Sequence, residues 1–356
     1  MNLFAFLPIL SVMMIVHELG HFITARMAGI TVQEFGIGLP PRLWGFRHGG
    51  VLYSINLIPF GAFVKMLGEE DPSAPGSFAS KSRAVRALVL SAGSGMNFLL
   101  AVAAFAVAFM IGLPTVSPDG PVKLAGIAAE SPAEQAGLRK GDEVVTFNGQ
   151  HVNVGQFREL AQQHLGKPVE LGVRRGEAEL AVTLTPRPNP PKGQGTMGVM
   201  LDANGGMVRA SPLRALQLGV DQTVRAVGMT FLVPKLVLDG AIAPGDARPI
   251  GLPGMAKLTA DAVDDAVATQ LWFPVFMLTG MFSAGLSVAN MLPIPALDGG
   301  RLLFVVIEWV RRGRRVPPER EAAYHFVGIV LLLTLMVIIS VNDIVSPVPR
   351  IDWGIR

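Results

Sequence analysis

Two histidines and a glutamate near the N-terminus have the spacing of a metal-dependent hydrolase. His17-Glu18-Leu19-Gly20-His21 is an H-E-x-x-H motif. On an α-helix, residues i and i+4 share one face, so both imidazoles can point at a single ion. Zinc takes imidazole nitrogen ligands, and the intervening glutamate can act as general base toward a water molecule. The motif therefore predicts metal ligation by His17 and His21 and base chemistry by Glu18.

A third ligand is expected, because catalytic zinc usually has three protein ligands and one open position. Asp298 is the leading candidate and ends the segment Asn290-Met-Leu-Pro-Ile-Pro-Ala-Leu-Asp298. Pro293 and Pro295 break a helix there, and non-helical backbone at membrane depth survives only inside protein or along a wet cavity. The alternative is that Asp298 merely caps the apolar run Leu302–Ile307.

The composition places these residues in a membrane protein. Half of the 356 residues are hydrophobic and 16% are charged, whereas soluble chains have about 25% charged residues. The absence of cysteine from the sequence excludes disulfides, a thiolate nucleophile and a Cys-type zinc site. A net charge of +3 is too small to indicate a nucleic-acid partner. The composition favours an integral membrane protein that lies in the lipid bilayer and carries a soluble insert.

Four segments are apolar enough to be predicted as spans of about 20 residues. They are Asn2 to about Ala28, Ala87–Leu113, Ala266–Leu297 and Ala322–Asn342. A signal peptide is a poor alternative for the first, because a charged cluster interrupts its apolar core and no basic segment precedes it. Ionisable side chains at membrane depth are rarely there without a function, which strengthens the metal-site hypothesis over one of histidines satisfied by neighbouring helices.

The loops predict the orientation of the spans. Residues 29–86 and 301–321 are rich in Arg and Lys, and short basic loops stay in the cytoplasm. Both termini and the long loop 114–265 are therefore expected outside. At 1.5 Å per residue, the H-E-x-x-H motif and Asp298 fall in the cytoplasmic half of the bilayer.

The long loop contains a small mixed domain. Ser131–Glu134 is a capping box, Glu143–Phe147 is a predicted strand, Asn153–Leu165 has helical spacing, and Val169–Arg174 with Glu179–Thr185 form a predicted hairpin. A Pro-rich linker, Pro186–Lys192, follows. Residues 211–240 then predict an interfacial pair of helices, with a soluble linker helix as the alternative.

These motifs carry a family resemblance. The chain resembles the site-2 proteases, intramembrane zinc metalloproteases, and among them the bacterial regulator-of-sigma-E protease branch. The H-E-x-x-H motif in the first span and N-x-x-P-x-P-x-L-D-G-G at 290–300 in the third match the family pattern residue for residue. The similarity extends through Tyr53–Gly61, Ala92-Gly93, Asn97 and the Ser131–Val152 segment of a PDZ domain.

The resemblance implies a fold class and an organisation. It implies a polytopic α-helical membrane protein of four transmembrane helices, a membrane-associated β-hairpin and an inserted small α/β PDZ-like domain. Residues 1–113 would hold spans one and two and the hairpin (about 34–66), 114–190 the extracytoplasmic PDZ domain, 191–265 a linker with amphipathic helices, and 266–356 spans three and four. One PDZ domain is expected where some relatives have two, and prolines replace glycines in the turn Gly36–Pro41.

The resemblance also implies a site and a substrate. His17, His21 and Asp298 would bind one zinc ion per chain, with Glu18 as base. Asn290 would hold the substrate backbone, with Pro293, Asn56 and Asn97 as further substrate-binding candidates. The substrate would be a single-pass protein of the bacterial inner membrane, an anti-sigma factor or a remnant signal peptide, trimmed beforehand by an upstream protease.

Several alternatives remain open at this point. The hairpin would pair with an unwound substrate strand or would simply cover the helices. The PDZ domain would exclude untrimmed substrates or bind peptides. A membrane scaffold with a structural or lost zinc site and a metal transporter are rival functions, although an open coordination position argues against the first and the lack of internal repeats against the second.

Overall fold

A computed structural model describes residues 5–69, 73–114, 117–191, 194–202, 207–240, 242, 245 and 247–354. The chain forms two compact units. The first comprises residues 1–111, 211–235 and 244–351, and the second comprises residues 112–210 with 236–243 and 352–356.

The elements in chain order are α1 (Phe6–Met27), β1 (Val32–His48), β2 (Val51–Met66), α2 (Arg83–Ile111), β3 (Leu113–Pro114), β4 (Val122–Ile127), α3 (Pro132–Gln135), β5 (Glu143–Phe147), β6 (Gln150–His151), α4 (Val154–Gln163), β7 (Val169–Arg175), β8 (Ala178–Leu184), β9 (Val199–Leu201), β10 (Met207–Val208), α5 (Pro212–Leu238), α6 (Leu252–Thr269), α7 (Phe273–Ala289), α8 (Asp298–Val310) and α9 (Pro318–Val345).

Among the described residues of the first unit, three helices are long and apolar enough to cross a membrane. They are α1, α2 and residues Glu319–Val345 of α9. The helix α7 is also apolar but has only 17 residues, which corresponds to about 26 Å at 1.5 Å per residue. Its length lies at the lower limit for a membrane span.

The predicted span Ala266–Leu297 begins too early, whereas the helix break expected at Pro293 and Pro295 is confirmed. Its first residues belong to α6, which ends at a left-handed Gln270 with φ of 60°. A new helix, α7, then begins at Phe273 with Pro274 in its first turn. Residues 290–297 are not α-helical, because Pro293 and Pro295 lack the N–H that a helix needs there.

β1 and β2 form an antiparallel hairpin that folds over on itself. Gly49 and Gly50, both at positive φ, make its turn, and His48 pairs with Val51. Phe35 has two partners, Tyr53 and Val64, so the first part of β1 lies between two segments of β2. Four short segments therefore share one small sheet.

Glycines let the helices around the site approach closely. A Cβ at Gly20 of α1 would lie 2.4 Å from the carbonyl oxygen of Ala92 in α2. A Cβ at Gly280 of α7 would lie 2.7 Å from the Phe105 ring of α2. Both distances are far below ordinary contact, so glycine at these positions permits the observed packing of α1 and α7 on α2.

The second unit contains a sheet with a compact apolar core. Its strands are ordered β8-β7-β5-β4-β9, with β6 paired to β5. The sheet thus continues to Leu201, beyond the predicted boundary at residue 190. Ser131 caps α3 by accepting a hydrogen bond from the Glu134 amide, and the core includes Phe147, Phe157 and Leu171.

A buried ion pair fixes the turn before β5. Asp142, 1% exposed, accepts hydrogen bonds from Arg175 Nε at 2.7 Å and Nη2 at 2.8 Å. The Arg175 guanidinium lowers the pKa of the Asp142 carboxyl below its ordinary value. Such a bidentate pair combines charge and geometry.

The prediction of a helix pair at 211–240 is wrong, because α5 is continuous. Pro234 lies inside its last turns, where the lost hydrogen bond does not interrupt the helix. The helix packs on α2: a Cβ at Gly219 would lie 2.6 Å from the Val102 carbonyl oxygen.

Candidate metal centre

Three potential metal-ligand atoms converge between α1 and the start of α8. His17 Nε2 and His21 Nε2 lie 3.0 and 3.1 Å from Asp298 Oδ2, and 3.2 Å from each other. The histidines are 8% and 6% exposed. Two nitrogens and an oxygen bound to one tetrahedral ion at about 2.0–2.2 Å would be about 3.3 Å apart. The arrangement therefore has the size of a single-ion site.

The hydrogen bond on the far side of His21 shows that the site fits a cation. His21 Nδ1 lies 2.8 Å from the carbonyl oxygen of Val89, which can only accept, so Nδ1 donates. In the neutral ring, Nε2 is then an electron-pair donor that faces the Asp298 carboxylate. Two such atoms repel at 3.1 Å unless a proton or a metal ion lies between them. A carbonyl partner on the second ring nitrogen is typical of metal-binding histidines.

The second ring nitrogen of His17 contacts an asparagine of α2. Asn97 is fully buried, and its Nδ2 lies 3.1 Å from His17 Nδ1. Its Oδ1 has no hydrogen-bond partner among the described residues. A half-turn of the amide presents Oδ1 to His17 Nδ1–H and leaves Nε2 free for a metal ion. The buried amide can therefore orient His17 as the Val89 carbonyl orients His21.

Glu18 lies beside these ligands, where a base is needed. Its carboxylate interacts electrostatically with His17, His21 and Asp298 and with the backbone amide of Val64 in β2. The hairpin thus reaches the base directly. A carboxylate next to the metal ligands, but not among them, is the arrangement of a general base in H-E-x-x-H enzymes.

The loop that precedes Asp298 is held by α9. Tyr324 Oη donates to the Pro293 carbonyl at 3.0 Å, and the Ala296 N–H donates to His325 Nδ1 at 3.0 Å. Ala296 has a φ of 72°, a left-handed conformation that costs energy for a residue with a Cβ. Contacts from α9 therefore hold a strained loop next to the third ligand.

An ion pair secures the opposite end of α8. Arg86 of α2 donates to Glu308 of α8 at 2.6 Å, and both side chains are about nine-tenths buried. Because Asp298 is the first residue of α8, fixing this helix on α2 also fixes the carboxylate relative to the histidines.

The predicted substrate-binding residues lie in different settings. Asn290 ends α7, is half-buried, and its carbonyl accepts from the Gly299 amide at 2.7 Å. Pro293 is exposed in the loop. The Asn56 amide donates to the carbonyls of Ile37 and Gly38, so it holds the hairpin's own backbone. Asn97 contacts a candidate ligand.

Other residues at the site were not assigned a role from the sequence. The Val89 carbonyl is a backbone group and leaves no sequence signal. Gly93 faces the metal centre, where a Cβ would lie 2.4 Å from His21 Nε2. His325 carried a usable signal, since an ionisable residue in a predicted span is a functional candidate by default.

Comparisons with known proteins agree on one family. The model of Peptidase family M50 matches residues 5–335. A relative from Clostridium perfringens that carries a zinc metalloprotease name is 35% identical, with 95% of this chain and 97% of the relative covered. The zinc metalloprotease RasP of Oceanobacillus iheyensis is 29% identical, with 96% and 98% covered.

A solved structure, the PDZ domain of an SdrC-like protein from Listeria monocytogenes, matches 24% of this chain and 92% of its own length at 20% identity. Its TM-score is 0.21, which is too low to assign the fold. The family match over nearly the whole chain confirms the resemblance inferred from the motifs. The chain belongs to Peptidase family M50, the site-2 protease family of zinc metalloproteases.

Proposed function

We propose that this protein is an endopeptidase that hydrolyses a peptide bond within the transmembrane segment of a single-pass membrane protein. It would use one zinc ion per chain, held by His17, His21 and Asp298. One observation carries the proposal: the three ligand atoms lie within 3.2 Å of one another. Two of them and Glu18 belong to α1, a helix apolar enough to cross a membrane.

The catalytic roles follow from this arrangement. Zinc, when bound, supplies Lewis-acid chemistry toward water and a carbonyl group. Glu18 accepts a proton from the attacking water while the water oxygen bonds to the scissile carbonyl carbon. When the C–N bond breaks, Glu18 passes that proton to the leaving amine nitrogen, as expected of a general base that becomes a general acid.

A substrate helix must unwind before it is cut, because its own hydrogen-bond ladder shields the peptide bond. The hairpin offers an edge at 62–66, next to Glu18, to which an extended segment can add by β-augmentation. Asn290, at the end of α7, can donate a hydrogen bond to the same segment. Both roles require an extended substrate, so they favour a mechanism in which unwinding precedes hydrolysis.

We also propose a four-span topology in the bacterial inner membrane. The third span would be α7 continued by the irregular segment 290–297, which together approach the roughly 30 Å of a bilayer core. The basic loops would be cytoplasmic, and both termini and the second unit would be outside. The metal centre would then lie in the cytoplasmic half of the bilayer.

The second unit would be a PDZ domain that admits only substrates already trimmed by an upstream protease. A size filter with weak peptide affinity explains why a soluble unit would interrupt a membrane enzyme. The substrate would then be an anti-sigma factor or a remnant signal peptide, both of which have short outer segments after trimming.

The test is cleavage of a tagged single-pass substrate by the purified full-length protein in detergent, with the cut mapped by mass spectrometry. Glu18→Gln should retain zinc but lose cleavage by at least about 10²-fold, the lower range for a general base. A zinc chelator should abolish cleavage, and zinc should restore it. Glu179→Gln, at an exposed position of β8, is the matched control. Cleavage that survives in Glu18→Gln would refute the assignment.

Topology can be tested without removing native cysteines, because the sequence has none. Single substitutions Glu179→Cys and Arg314→Cys place thiols at exposed positions in the second unit and in the 301–321 loop. In intact spheroplasts, a membrane-impermeant maleimide should label the first and not the second. Labelling with the opposite preference would invert the proposed orientation.

A further inference from the structure

A small cavity lies between α1 and the hairpin, on one face of the hairpin sheet. It encloses about 230 Å³, and its wall includes Leu19 and Phe22 of α1 with Trp44, Phe46, Tyr53 and Ile55 of the hairpin. We call this cavity the aromatic pocket. An engineered apolar cavity of about 150 Å³ binds benzene, so the aromatic pocket has room for one large apolar side chain.

The strand register builds this pocket. Tyr53 pairs with both Phe35 and Phe46, while Ile55 pairs with Trp44. Because alternate residues of a strand face the same side, these cross-strand neighbours form two adjacent rows on one face. The Tyr53 and Phe46 rings stack with centroids 5.3 Å apart, and the Trp44 and Phe46 centroids are 5.4 Å apart. The wall is therefore formed before any ligand arrives.

The pocket borders the turn of α1 that follows the catalytic base. Leu19 directly follows Glu18, and Phe22 lies four residues after Glu18 on the same helix face. The same hairpin interacts with Glu18 through the Val64 backbone. A peptide whose carbonyl lies next to Glu18 would thus have a neighbouring side chain within reach of this cavity.

The pocket remains partly open in the described structure. Trp44 is 57% exposed and Phe46 is 49% exposed. Two half-exposed aromatic rings in the wall of one cavity form an apolar surface that a ligand can cover. The family match and the metal-centre geometry do not assign this surface a role.

We propose that the aromatic pocket is a specificity subsite that takes a bulky apolar side chain, aromatic or leucine-like, from the substrate residue beside the scissile bond. The inference rests on the proposed function. Burying such a side chain is favourable, whereas a polar side chain would lose its hydrogen bonds to water without replacement. The subsite would therefore select the position of the cut within an apolar segment.

Pocket filling tests the specificity. Ile55 is 48% exposed, so Ile55→Trp can be accommodated in the hairpin while its ring occupies the cavity. Leu57→Trp, at another exposed position of the same strand and outside the pocket, is the control. The substrates are one single-pass protein with Phe, Leu, Ala or Asp at each position that flanks the mapped cut.

For wild type, kcat/KM should be at least tenfold higher with Phe or Leu than with Ala or Asp at one flanking position. Ile55→Trp should remove that preference by lowering cleavage of the Phe and Leu substrates about tenfold, while the Ala substrate changes less than twofold. Leu57→Trp should behave like wild type. The proposal would be overturned if Ile55→Trp kept the wild-type substrate preference. It would also be overturned if kcat/KM fell equally for every substrate, as expected if a lipid acyl chain fills the pocket.

A cross-linking experiment reports on the pocket without requiring cleavage. Ile55→Cys in a Glu18→Gln background is mixed with substrates that carry a single cysteine at successive positions. A disulfide should form at the position that flanks the cut and not with Leu57→Cys. A cross-link from Ile55→Cys to one substrate position, together with a wild-type enzyme that cuts no substrate, would retain the pocket and refute the proposed function. Cutting without any cross-link at Ile55→Cys would retain the function and refute the pocket.

Discussion

Gly93 gives the sharpest test of the metal centre. In Gly93→Ala the new methyl carbon would lie 2.4 Å from His21 Nε2 and 2.6 Å from His17 Nε2. Ordinary contacts begin near 3.5 Å, so both rings must withdraw by about 1 Å. Coordination distances tolerate about 0.2 Å. We therefore expect zinc affinity to fall about 100-fold or more, which corresponds to about 2.8 kcal/mol, and cleavage to fall with it.

The assay compares purified variants equilibrated in zinc buffers, with bound zinc measured by mass spectrometry and cleavage measured on the same samples. Gly95→Ala is the control, because Gly95 is exposed two residues away on the same helix and a Cβ there meets no packed neighbour among the described residues. Alanine favours a helix by about 1 kcal/mol over glycine at either position. A folded Gly93→Ala protein with wild-type zinc affinity would refute the ligand geometry.

Three further predictions follow from contacts near the site and in the second unit. Asn97→Ala should lower zinc affinity, measured by zinc competition, about 10–100-fold. Asn97→Asp keeps an acceptor oxygen and should retain the affinity. Equal losses in the two variants would contradict the orienting role of Asn97. Gly328→Leu should lower cleavage at least tenfold, because a Cβ at Gly328 would lie 1.7 Å from Pro295 Cβ. Gly285→Leu is the control, since a Cβ there meets no packed neighbour among the described residues, and its cleavage rate should stay within about twofold of wild type. The pKa of the Asp142 carboxyl is lowered by Arg175, so this ion pair stabilises the second unit above about pH 4, and the stabilisation is lost as the pH falls below that value. Asp142→Asn should therefore speed hydrogen exchange in residues 112–210 of the full chain at pH 7. The difference from wild type should be smaller at pH 3.

The H-E-x-x-H half of the site could be predicted because it is local. Two residues four apart on a helix must share a face, whatever the rest of the chain does. The aspartate is 281 residues from His17, and no local rule joins them. Asp298 could be predicted as the third ligand because ionisable residues are rare in predicted spans and because Pro293 and Pro295 indicated non-helical backbone close to it in the sequence.

Roles that depend on tertiary contacts could not be assigned in this way. A buried asparagine has the same sequence signature whether it faces a substrate or a histidine ring, and Asn97 contacts His17. Asn56 likewise uses its amide within the hairpin. The expectation of a helix pair was wrong because α5 is continuous; its internal Pro234 removes one backbone hydrogen bond without ending the helix.

The small residues explain why the ligands can meet at all. The ligands come from α1 and the start of α8, while α2 forms the wall behind the two imidazoles, so the fit of α1 against α2 decides how much room both rings have. Gly20 lets α1 approach the Ala92 carbonyl of α2, and Gly93 leaves room for both rings on the opposing face. The two glycines thus perform a steric task on facing helices. A larger residue at either position would separate the helices or displace the rings, even with every ligand present. Metal affinity in this protein should therefore depend on where side chains are missing as much as on the three residues that bind.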